Sequence, residues 1–132
     1  MNIGDIYWGT REHEFHPIVC LESTQNKTMF AAAILSSKPH DEGNITNIQL
    51  EESHFDRSNP AYTIYVDQAQ GKVQYLVNFK WLKDCPSLET KIEGHLSSQG
   101  LLFVVEKLKD SIPQRVTKTI MEYNKSLPQN SN

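Results

Sequence analysis

Two cysteines in 132 residues leave nothing for a disulfide framework, and neither Cys20 nor Cys85 belongs to a CxxC pair. No stretch approaches the roughly 18 consecutive apolar residues of a membrane span. The N-terminus meets Asp5 before any apolar core can build. No secretory signal is legible there, so a reduced, cytoplasmic setting without membrane contact is expected. Basic excess is also missing. Against 16 Asp plus Glu stand 13 Lys plus Arg, a formal charge of -3, whereas a dedicated duplex-DNA binder carries positive charge to neutralise phosphates. The chain has no Walker A loop, no G-x-G-x-x-G and no G-x-S-x-G elbow, which removes the common nucleotide-binding and serine-hydrolase motifs. Internal repeats are absent as well.

What remains is a globular composition, 38% hydrophobic and 22% charged. This length supports one domain. A single domain over residues 1–125 is expected, followed by a polar, flexible tail at 126–132. Charge is unevenly spread: residues 1–105 carry a balance of -5 and residues 106–132 a balance of +2.

Apolar patterning predicts strands over 3–8, 18–21 and 28–35, the last kept as a strand despite Ala31, Ala32 and Ala33 because polar turns bound it closely. Pro39 and Gly43 predict a loop over 36–44. Ile45, Ile48 and Leu50 mark a further strand, and the polar stretch 51–60, which includes His54, is expected to be irregular. Tyr62, Ile64 and Val66 alternate with polar residues as in a strand. The alternation of Val73, Tyr75, Val77, Phe79 and Trp81 predicts a central strand over 73–82, with Val77 and Phe79 in or beside the core. From Ser97 or Ser98, as a cap, Leu101, Val104, Val105 and Leu108 form a helical stripe. Val116, Ile120, Tyr123 and Leu127 continue that period in a second helix beyond Pro113. Short strands followed by helices predict a mainly β (α+β) fold, a small SH3-like barrel with C-terminal helices.

Five histidines, at 13, 16, 40, 54 and 95, are the first candidates for chemistry. A closed zinc site needs three or four nitrogen or sulfur ligands. His13 and His16 with the two dispersed cysteines do not assemble one, so no metal and no cofactor are expected. Cleaving RNA without metal requires a base for the 2′-hydroxyl, an acid for the leaving oxygen and positive charge at the phosphorane. His13, His16, Lys80 and Ser36 or Ser37 supply those types. The plainer account is that the histidines are surface groups, the serines turn residues, and Lys80 the solvent-facing side of a half-buried strand.

The order of short motifs resembles the MazF/PemK toxin endoribonucleases of bacterial toxin–antitoxin modules. Gly4-Asp5-Ile6-Tyr7-Trp8 is similar to that family's G-[DE]-[IV]-[YW] first strand. His13-Glu14 resembles the His-Glu of its first loop, and His16-Pro17-Ile18-Val19 its Arg-Pro-[VA]-[LV]. Ala33-Ile34-Leu35-Ser36-Ser37 is similar to its [PA]-[IV]-T-[SA] strand end, and Phe79-Lys80-Trp81-Leu82 falls where it has [QP]-[IP]-R-T-[IL]. Glu93-Gly94-His95-Leu96-Ser97 resembles its entry to the last helix. The likeness covers roughly residues 3–108. It departs where a family arginine is His16, a threonine is Ser36 and a second arginine is Lys80. The resemblance implies metal-independent cleavage of single-stranded RNA. His13 and His16 would move protons, Lys80 would stabilise the phosphate and Ser36 would orient it, with Glu14, Ser37 and Trp81 contacting substrate. It further implies an antitoxin protein as partner and a homodimer, with Trp8 and Trp81 available to the interface. The alternative is a non-catalytic SH3-like barrel that binds protein or nucleic acid, a reading to which the arginine replacements and the acidic charge point.

Overall fold

The two longest apolar runs lie side by side in a computed structural model that describes residues 2–8, 16–22, 28–39, 41–42, 45–85 and 91–115. They form β2 (Pro17–Cys20) and β3 (Met29–Ser36), paired antiparallel with Ile18 opposite Ile34 and Cys20 opposite Ala32. Alternate residues of a strand point to opposite faces, and here both faces are covered. Ile6, Val19, Ala33 and Leu35 join Leu76, Leu96, Val104 and Leu108 on one side. Tyr7, Ile18, Cys20, Phe30, Ala32, Ile34 and Trp81 pack on the other. That is why these strands read as unbroken apolar runs, with alanines where neighbours approach closely.

β1 (Asp5–Trp8) flanks β2, and β10 (Ile92–His95) flanks β1. On the other side of β3 follow β8 (Tyr75–Val77), β5 (Ile45–Gln49) and β4 (Asp41–Glu42), giving the order β10-β1-β2-β3-β8-β5-β4. β9 (Trp81–Asp84) also pairs with β3 and carries β11 (Gln114–Arg115) in parallel on its outer edge. β6 (Val66–Asp67) and β7 (Lys72–Val73) make a separate pair. The fold is mainly β, as expected. Among the described residues β4 does not return to pair with β10, so the sheet does not close into a full barrel. No helix among them is long and apolar enough to cross a membrane.

Four local expectations need correction. The predicted loop over 36–44 contains β4, which pairs Asp41 with Thr46 and Glu42 with Ile45. Residues 62–65 are not a strand but one helical turn, α1 (Tyr62–Tyr65). Asn59 starts it, its Oδ1 accepting from the Ala61 amide at 2.9 Å and its carbonyl from the Tyr62 amide at 3.0 Å. The turn buries Tyr62 and Tyr65 while Ile64 stays 45% exposed, the i, i+3 pattern of a helix rather than alternation.

The predicted strand 73–82 is three strands, β7, β8 and β9. Leu35 faces Leu76 and Ala32 faces Trp81, so Ala33 and Ile34 of β3 stand against the four residues Val77, Asn78, Phe79 and Lys80. Two extra residues bulge out. Because two is the period of a strand, the bulge leaves the alternation intact on either side. Val77 and Phe79 do pack against the core cluster around Trp81.

The fourth correction concerns His54. The stretch expected to be irregular includes a 3-10 turn (Glu52–His54), and His54 is 2% exposed. Its Nδ1 accepts from the Glu51 amide at 2.9 Å, and its ring stacks on Phe103 at 4.3 Å. Burial lowers its pKa, against the opposing pull of Glu51. The native state therefore binds fewer protons than the unfolded chain near pH 6. This contribution to stability is complete above the ordinary histidine value of about 6.5 and is lost as pH falls towards the depressed native value. Urea midpoints should accordingly drop between pH 7.5 and pH 5.5. The drop should shrink in His54→Gln, and an unchanged pH dependence in that variant would contradict a neutral buried ring.

The turn also seats α2 (Ser98–Leu108). Ser97 caps it, Oγ accepting from the Gly100 amide at 3.0 Å and donating to the Ser53 carbonyl at 2.6 Å. Gly100, Val104 and Leu108 form the buried seam. Val105, expected in the stripe, is 48% exposed, because a helix pressed in along a glycine buries a narrow strip. The second helix predicted from Val116 to Leu127, and the tail at 126–132, lie outside the described residues.

Candidate active site

Continuing the β2–β3 register two residues beyond the Ile18–Ile34 pair sets His16 opposite Ser36 at the end of the sheet. Ser36 is in turn opposite Tyr75 on β8, and Tyr75 is opposite Gln49 on β5. His16, Ser36, Tyr75 and Gln49 thus form a polar row across four adjacent strands. By alternation the row lies on the face that holds Ile18, Ile34 and Trp81. Pro17 favours extended backbone at His16, which starts the row where β2 begins.

His16 is half-buried. Burial lowers its pKa, and a hydrogen bond with the Leu35 backbone partly opposes that. A bond that favours the protonated ring is donated to a carbonyl oxygen. The lowered pKa leaves the imidazole neutral at pH 7, and a neutral imidazole carries one acceptor nitrogen. Such a group is a proton acceptor at neutral pH.

Ser36 is 9% exposed. Its Oγ accepts from the Lys38 amide at 3.3 Å and lies 3.4 Å from the Lys38 carbonyl, so the hydroxyl first of all closes a turn. Asn47 Nδ2 donates to the same carbonyl at 2.8 Å and steadies that turn from β5. Ser37 is exposed.

Lys80 is not brought to this row. It lies in the bulge next to Trp81, whose partner Ala32 is four residues back from Ser36, about 13 Å along the strand. Its parity is opposite to that of Trp81, and its amide donates to Ser111 Oγ at 2.8 Å. Trp81 is 5% exposed and its ring sits 5.1 Å from Phe79. It therefore offers no surface for stacking or dimer contact, which corrects the expected role. Trp8 is half-buried, its Nε1 donating to Tyr65 Oη at 3.3 Å. That bond makes it a core-edge residue rather than an open interface. His13 and Glu14 lie outside the described residues. Among the described residues no three His, Cys, Asp or Glu side chains gather as metal ligands would.

Sequence reasoning missed Tyr75 and Gln49. Tyr75 reads in the sequence only as part of the apolar alternation, and Gln49 has no local signal, since strand register alone places it. His95 is structural: Nε2 contacts the Ile3 carbonyl at 3.2 Å and Asp5 Oδ1 at 3.6 Å, tying β10 to the start of β1. No protein-family model matches this chain, and no curated protein or solved structure matches it either.

Proposed function

We propose that the chain is a toxin-type endoribonuclease that cleaves single-stranded RNA without metal, with His16 as the general base. The observation that carries this is His16 itself: it heads the polar row opposite Ser36, is half-buried, and has its pKa lowered by burial, so it is neutral at pH 7. A base of that kind takes the 2′-hydroxyl proton as the oxygen attacks the adjacent phosphorus. Ser36 and Tyr75, next along the row, are hydroxyl donors for phosphate oxygens. The acid for the leaving 5′-oxygen falls to His13. The reading carries with it a cytoplasmic setting, no cofactor, an antitoxin protein as partner and a second copy of the chain in a homodimer.

A specific observation also favours the second reading, a non-catalytic binding module: Lys80, the cation expected to stabilise the phosphate, stands off the row. End-group analysis separates the two. Single-stranded RNA incubated with the purified protein in excess chelator should yield fragments ending in 2′,3′-cyclic phosphate. RNA left intact under those conditions, with the protein folded, would leave the binding module as the better account.

A further inference from the structure

His54 joins the 3-10 turn to α2 through three of its groups. Its Nδ1 accepts from the Glu51 amide, so the neutral ring carries its hydrogen on Nε2. The ring stacks on Phe103 of α2. Its carbonyl accepts from the Ser97 amide at 3.0 Å and lies against Gly100 with no room for a Cβ. The helix is held on this side, where Val104 and Leu108 enter the core cluster of Ile6, Val19 and Leu35; Leu102 and Val105 on its outer side are exposed. Both ends of the stretch are pinned. Before the helix, Phe55 bridges to Leu96, and the Asp56 amide donates to the His95 carbonyl at 2.9 Å. After it, Ser111 Oγ accepts from the Lys80 amide at 2.8 Å.

We infer that the 3-10 turn and α2 form an acid-released latch: a proton on His54 Nδ1 unseats the helix between its two pinned ends while β1, β2 and β3 stay paired. A hydrogen on Nδ1 would point at the Glu51 N–H, donor against donor, so the bond that shapes the turn must break. Because the same residue's carbonyl and ring carry α2, the turn cannot open without loosening the helix. Charge does little to compensate. Among the described residues Glu51 is the one charged group acting on the ring. Its Oε2 lies 3.9 Å from Nε2 on an exposed side chain, where water screens it. Glu52, the other carboxylate of the turn, pairs with Arg57 at 3.3 Å. On α2 the charge next to the stack is Lys107, 5.4 Å from the Phe103 ring centre, and it repels a protonated histidine. Burial acts in the same direction on the ring. The strands pair without His54, so the release is confined to the latch. It goes beyond a general loss of stability in acid, and it does not depend on what the His16 row does.

Amide hydrogen exchange of the full chain, read residue by residue as protection factors, tests this. Amides from Leu101 to Leu108 should be less protected than those of β2 and β3. Their protection should fall by up to about tenfold per pH unit below about pH 6.5, the linkage of a single proton. In His54→Asn, whose Oδ1 accepts from the Glu51 amide but does not titrate, the pH dependence should disappear. Ser97→Ala removes the cap alone. It should lower α2 protection at every pH and keep the slope, so the test stands even where His54→Asn does not fold. Protection of α2 that is independent of pH, that never falls below that of β2 and β3, or that keeps its slope in His54→Asn would overturn the latch.

Discussion

Replacing His16 by Ala is expected to lower the rate of RNA cleavage by about 10²–10⁴-fold, the range over which a positioned general base contributes. That corresponds to about 3–5 kcal/mol of transition-state stabilisation. The expectation follows from the ring's environment. Burial keeps it neutral, so it is ready to take the proton at pH 7. An Ala side chain leaves the end of β2 in place, because the β2–β3 pairing runs from Ile18 to Cys20 and does not use the imidazole. Circular dichroism should therefore match the wild type while turnover falls. Turnover kept within a few-fold of wild type would assign the base to another residue.

Gly100→Ala is expected to destabilise the protein by at least about 2 kcal/mol, a melting temperature lower by roughly 10 °C. Propensity alone points the other way, since Ala in place of Gly favours a helix by about 1 kcal/mol. Packing decides the sign. A Cβ at this position would overlap the His54 carbonyl oxygen and lie 2.7 Å from its carbon and 2.8 Å from its Cα. All three are backbone atoms, so no rotamer change relieves the overlap. The helix must lift from the 3-10 turn, loosening the Ser97 cap and the bond from the Ser97 amide to the same carbonyl, 3.0 Å long. Thermal denaturation measures the outcome. Equal or greater stability in the variant would show that α2 does not press on the turn.

The contrast between these two sites shows what the order of residues makes legible. β2 and β3 could be read directly, since both faces are buried and every position before Ser36 is apolar. The α2 cap could also be read, because a serine before an apolar helical period has a local mechanism at Ser97. The bulge at Asn78, Phe79 and Lys80 could not, since two added residues preserve the alternation that would have exposed one. The feature splits the expected strand into β8 and β9, and no local pattern signals it. Tyr62 and Tyr65 read as strand because one helical turn is too short for its period to stand out from alternation. His54 looks solvent-exposed among Glu51, Glu52 and Asp56, and only the return of α2 and Phe103 buries it. The pairing of His16 with Ser36 lies between these cases. Each flanks an apolar strand visibly, but their meeting depends on a register that distant residues set.

The most direct test of the account is the pH dependence of kcat/KM for cleavage of a single-stranded RNA in chelator. Because burial holds His16 below the ordinary histidine value, the base is already deprotonated in mildly acid solution. The rate should rise with pH along an acid limb whose midpoint lies below about 6.5, and His16→Ala should lose that limb. An acid limb that persists unchanged in His16→Ala, or a wild-type acid limb with its midpoint above about 6.5, would contradict the assignment of His16 as the base.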